Sequence, residues 1–176
     1  MGKEKKCTLY KKYTSYKKCI PYLILAGFTF FFCWWFVGRH GIFGAKVDWL
    51  SQHSVLPDYF RQQFYATGKI FPEFAPNLGG GQNIYHFAYY GLYSPLILPS
   101  YLLPFVKMSD YIMVISITGL TVSVLLFYYW LKSRKMDTGV AFIISLMFLL
   151  AGPMIGQYSG QIMFVDYMPF LCLALI

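Results

Sequence analysis

The sequence predicts an all-α, polytopic helical membrane protein with a large first extracellular loop bearing interfacial helices. Three observations carry that prediction. Hydrophobic residues make up 57% of the chain and charged ones only 12%, whereas a water-soluble domain carries about 25% charged residues. The apolar residues come in blocks rather than amphipathic stripes, as in chains that cross lipid. Seven lysines precede Ile20 and abut the first block, the pattern that holds a terminus in the cytoplasm beside anionic lipid. The net charge of +8 therefore speaks for the lipid bilayer as partner, and not for nucleic acid.

The basic tail takes residues 1–19 and the first transmembrane helix 20–37, a charge-free run long enough for the hydrocarbon core. A cleavable signal peptide would have a shorter apolar region and a small-residue cleavage site, and neither is present. The Met1-Gly2 start lacks the Ser or Thr of a myristoylation signal, because position 6 is Lys6. Residues 38–86 form a polar, Gly- and Pro-punctuated extracellular loop. Within it VLPDYFRQQFYATG reads as a short helix opened at Pro57-Asp58, with Leu56, Phe60 and Phe64 on one face.

Residues 87–106 are apolar but broken by Gly91, Pro95, Pro99 and Pro104, and are expected to lie at the interface or to re-enter. That arrangement lets the second transmembrane helix (110–131) run inward. It places Lys132, Arg134 and Lys135, in the loop 132–138, on the cytoplasmic side. A third helix (139–156) then returns to an extracellular turn (157–166), where Gln157, Gln161 and Asp166 are expected on the outer side. A further span starts at 167–176, and its end at Ile176 inside an apolar run reads as the N-terminal part of a longer protein.

Four cysteines suggest neither a disulfide framework nor zinc. Cys7 and Cys19 fall in the tail, Cys33 and Cys172 in apolar runs, and no CxxC spacing occurs. The chemistry-bearing residues lie in the first loop. Asp48 follows the first span closely enough to accept a proton from a hydroxyl near the headgroup plane, or to cap a helix or pair with Lys46 or Arg61. Arg61 and Lys69 suit a lipid-linked phosphate, or interfacial anchoring. Trp49, Tyr59 and Tyr85 offer rings to a sugar or to the membrane interface. His53 and His86 read as hydrogen-bonding side chains. The spacing of Asp48, His53 and Asp58 matches no metal motif, so a divalent cation is possible but not demanded, and no cofactor is expected. Gly79-Gly80-Gly81 lacks the Lys-Ser/Thr of a phosphate loop. It reads either as a close backbone approach to a sugar or another loop, or as a simple flexible turn.

The strings VDWLSQH and DYFRQQFYATGKIFPEFAPNLGGGQNIYHFAYYGLYSPL resemble the opening of the YfhO family of bacterial membrane proteins, and the likeness extends to Ile176. The resemblance implies a GT-C-like fold and a glycosyltransferase activity. The implied donor is a polyprenyl-phosphate-linked sugar, and the implied acceptor is a cell-envelope polymer such as a teichoic acid. It also implies a catalytic acid in the first outer loop, matching Asp48, with Asp58 second. Substrate contacts are assigned to Trp49, Gln52, His53, Arg61, Lys69, Asn77, Gly80, Gln82, Asn83 and Tyr85. Two other classes stay open: a transporter or flippase for envelope precursors, and a non-catalytic membrane protein. A transporter would place ionisable residues within its spans, and 20–37 and 111–131 contain none.

Overall fold

The computed structural model describes residues 2–40, 44, 46–158 and 160–176, with side chains from residue 18 onward except at 40, 46, 157, 158, 162–164 and 166. Helix α1 runs Gly2–His40, α2 Lys46–Asp48, α3 Val55–Thr67, α4 Met108–Ser133, α5 Thr138–Leu149 and α6 Ile162–Ala174. A short antiparallel pair joins β1 (Phe74–Ala75) to β2 (Gln82–Asn83), with Phe74 opposite Asn83 and Ala75 opposite Gln82. Two of these helices hold segments long and apolar enough to cross a membrane, Lys18–Arg39 and Met108–Ser133. At 1.5 Å per residue each exceeds the ~30 Å of a hydrocarbon core.

Helix α4 is the central post, packed against α1, α5 and α6. Its buried face joins Ile112, Leu120, Val124 and Tyr128 to Leu25 and Cys33 of α1, Ala141 and Leu149 of α5, and Val165 of α6. The small hydroxyl side chains in this core satisfy themselves, while the buried Trp130 indole N–H has no partner among the described residues. Ser116, Thr121 and Ser123 donate to the carbonyls of Ile112, Ile117 and Gly119, one turn back, at 2.5, 2.8 and 2.7 Å. Thr29 and Ser145 do the same. Small hydroxyl residues thereby sit in apolar surroundings without an orphaned donor. Leu23, Phe31 and Trp34 stay exposed on α1, an apolar surface of the kind that lipid covers.

Two element boundaries differ from the sequence expectation. The expected helix 139–156 ends at Leu149, whose carbonyl can take no i+4 donor because Pro153 lacks an N–H; helical backbone resumes at Gly152 and passes into a π-helical turn at Met154–Tyr158. Helix α6 begins at Ile162 rather than near 167 and contains Pro169. The Pro-broken stretch is not a straight helix. It forms two 3-10 turns, Ile84–Tyr90 and Leu98–Leu102, separated by Gly91 at φ 109°.

Residues 46–106 are a packed module rather than a linker. Phe60, Ala75, Ile84, Tyr90, Leu92 and Tyr101 form a core of their own. Gly68 closes α3 at φ 72°, its N–H reaching the Phe64 carbonyl at 2.8 Å, the left-handed stop that glycine makes cheaply. Gly79, Gly80 and Gly81 all have positive φ, at 56°, 82° and 96°, and turn the chain from β1 to β2.

Candidate functional site

Asp48 ends α2, and a π-helical turn (Trp49–His53) carries the chain into α3. That turn sets Gln52 one winding from Asp48, where its Nε2 donates to Asp48 Oδ1 at 3.4 Å. Tyr90, from the distant 3-10 turn, donates its hydroxyl to Gln52 Oε1 in a short hydrogen bond. The His53 ring lies 5.3 Å from that of Tyr90. Asp48, Gln52, His53 and Tyr90 thus form one cluster, assembled from segments about forty residues apart in the chain.

The electrostatics of the cluster follow from burial beside a carboxylate. His53 is 3% exposed, and desolvation lowers its pKa below 6.5, with the Asp48 carboxylate partly opposing the drop. Its Nδ1 is buried without a hydrogen-bond partner among the described residues. Burial pushes the Tyr90 hydroxyl up to about 12, helped by Tyr89 and by the negative charge of Asp48. Neutral imidazole and neutral phenol are therefore the resting forms near neutral pH, and Asp48 is the acidic group of the cluster.

Asp58 and Arg61 belong to a second arrangement. Arg61 is 6% exposed; its Nη2 meets Asp58 Oδ1 at 2.5 Å, and its Nη1 donates to the carbonyls of Leu103 and Val106 at 3.1 and 2.9 Å. Gln62 Nε2 takes the other Asp58 oxygen at 2.7 Å, so both carboxylate oxygens are engaged. Arg61 spends three N–H groups on these bonds and keeps two of the five a guanidinium carries. Asp58, Tyr59, Arg61, Gln62, Lys107 and Ser109 line a cleft of about 480 Å³. Ser54, which caps the turn that follows Asp48, lines that cleft, and Asp48 itself does not.

The remaining expected site residues are spread out. Lys69 is exposed and pairs loosely with Glu73 at 3.7 Å. Asn77 and Gly80 are exposed at the hairpin tip, and Gln82 Nε2 reaches back to the Leu78 carbonyl at 3.4 Å. Asn83 Oδ1 accepts from the Tyr85 N–H at 2.9 Å and caps the 3-10 turn. Tyr85 is exposed and stacked against Tyr93, ring centres 6.1 Å apart. Trp49 differs from its expected sugar-stacking role. It is 2% exposed, because its ring fills the space beside Gly44, where a Cβ would come within 2.4 Å. Among the described residues no three of His, Cys, Asp and Glu gather to hold a metal ion, and Asp48, His53 and Asp58 form no such group.

Sequence reasoning missed Tyr90 and Lys107. Tyr90 stands in a tyrosine-rich stretch, and no local spacing ties it to Gln52. Lys107 stands just before α4, where a lone lysine gives no motif.

The family profile described as bacterial membrane protein YfhO matches residues 18–176. Neither the curated proteins nor the solved structures gave a match. The matched region takes in both candidate spans, the module that holds Asp48 and the cleft beside Arg61, and on that evidence the chain belongs to the YfhO family of bacterial membrane proteins.

Proposed function

We propose that the protein is a GT-C type membrane glycosyltransferase. It transfers a sugar from a polyprenyl-phosphate donor to a cell-envelope polymer, such as a teichoic acid, on the outer face of the membrane. The observation that carries this reading is the Asp48 carboxylate, held through Oδ1 by Gln52 in a cluster with His53 and Tyr90. Oδ2 is left for an acceptor hydroxyl. In the proposed step Asp48 takes that hydroxyl's proton as its oxygen bonds to the anomeric carbon. The bond from that carbon to the donor phosphate breaks, and the electron pair leaves with polyprenyl phosphate.

The leaving phosphate needs donors and positive charge. In this reading Arg61 and Lys107, which line the cleft that Ser54 also reaches, supply them, and exposed Lys69 assists. Tyr85 offers an open ring for the sugar. Asp58, with both oxygens engaged, positions Arg61 rather than acting as the base. No cofactor enters the step.

Asp48→Asn in the full-length protein tests the reading. The swap keeps the shape and removes the proton acceptor, so transfer from a polyprenyl-phosphate sugar to envelope polymer should fall by about 10²–10⁴-fold. Membrane insertion and abundance should not change. Near wild-type transfer by Asp48→Asn removes Asp48 from the mechanism.

A further inference from the structure

At the other end of α4 from the Arg61 cleft lies a cavity of about 600 Å³ lined by Lys18, Tyr22, Tyr129, Lys132, Ser133 and Thr138. The two ends of a 26-residue helix lie roughly 38 Å apart, so this cavity is separate from the Asp48 module. It forms where the start of the apolar run of α1, the end of α4 and the start of α5 converge. Its lining is cationic and hydroxylic: two ammonium groups, hydroxyl donors from tyrosine, serine and threonine, and no carboxylate.

The neighbouring acid offsets only part of that charge, because one carboxylate that acts on Lys132 faces two lining ammonium groups. Asp137 turns its Oδ1 to the Gly139 and Val140 backbone N–H groups, at 2.8 and 3.3 Å, and caps α5. Lys132 Nζ donates to the Met136 carbonyl at 2.8 Å and to Thr138 Oγ1 at 2.9 Å, which fixes the ammonium and leaves the last of its three protons free. Arg134 and Lys135 follow directly, and Lys18 ends the lysine-rich tail. The wall of the cavity is not uniformly polar. Pro21 lines it, the Tyr22 ring meets the Tyr128 ring edge-on at 4.8 Å, and the next residues, Leu23 and Ile24, are 70% and 52% exposed apolar side chains.

We propose that this cavity binds the phosphate headgroup of an anionic membrane phospholipid, with the acyl chains lying along the exposed apolar face of α1. A site with two ammonium groups against one peripheral carboxylate, together with hydroxyl donors, selects a phosphodiester. Its position at the end of two candidate spans, with an apolar exit, selects one that carries acyl chains over free phosphate. Tyrosines at this level place their polar tips where headgroups lie. The lysine tail attracts anionic lipid loosely, whereas the cavity holds one molecule in place.

The test is native mass spectrometry of the protein released from nanodiscs containing equal phosphatidylglycerol and phosphatidylcholine. The wild type should retain one phosphatidylglycerol in preference to phosphatidylcholine, and excess inorganic phosphate should not displace it. Lys18→Gln, which removes one cation, and Ser133→Trp, which fills the cavity from an exposed position, should each lower retention roughly fivefold or more. Neutralising Lys3, Lys5 and Lys6 together should leave the retained lipid in place. Equal retention of the two lipids, displacement by inorganic phosphate, or full retention by Ser133→Trp would overturn the proposal. So would loss of the lipid on tail neutralisation alone.

Discussion

His53 sits in an environment that its neighbours in sequence do not suggest, buried to 3% exposure. Burial lowers its pKa below the ordinary 6.5, so the folded chain binds its proton less readily than the unfolded chain. Its contribution to stability is therefore complete above about 6.5 and is lost as pH falls through the lower folded value. Unfolding midpoints in detergent should drop on acidification from neutral pH, and His53→Gln should flatten that dependence. A wild-type profile that stays flat over this range would contradict the burial argument. Arg61 makes the complementary case, a buried charge satisfied on three sides. Arg61→Met should destabilise the 46–106 module by about 2–3 kcal/mol, because it strips hydrogen bonds to a charged group and leaves Asp58 without its cation. Asp58 is 32% exposed at its side chain, so water recovers part of the loss. Chemical denaturation followed by a fluorophore in the module reads the difference.

At the scale of elements, the hairpin depends on its glycines. Gly79 and Gly81 stand at positive φ, and a Cβ would meet Gln82 Nε2 at 2.4 Å and Phe74 Cζ at 2.9 Å respectively. Gly80 has open space around it but the same backbone sign. Each Gly→Ala change should therefore cost about 1–2 kcal/mol from the left-handed backbone alone. Gly81→Ala should cost more than Gly80→Ala because the Cβ meets the Phe74 ring at 2.9 Å, whereas the Gln82 tip beside Gly79 can swing away. Equal losses at the two positions would show that contact plays no part.

For the whole molecule the informative contact joins the two basic clusters. Lys18 and Lys132 line one cavity, so the lysine tail and the Lys132–Lys135 segment lie at the same end of the helix bundle. Single cysteines placed at 18 and at 133, in a background without native cysteines, should then show equal accessibility to an impermeant reagent. With the basic end inward, neither labels in intact cells, while a cysteine at 69 does. Labelling at 133 but not at 69 overturns that orientation.

The sequence by itself determined the membrane class, both candidate spans, the interruption of 87–106 and the loop that carries the acidic residues. Each follows from composition, run length or a proline, and these act locally along the chain. The partners within that loop were decided only by tertiary structure. Tyr90 reaches Gln52, the carbonyls of Leu103 and Val106 reach Arg61, and Lys107 joins the same cleft. No periodicity records such pairings, because they depend on how a 3-10 turn and an irregular strand of backbone fold over α3. The same reason hid the burial of Trp49: an indole beside a membrane span reads as an interfacial anchor until a glycine backbone is found packed against it.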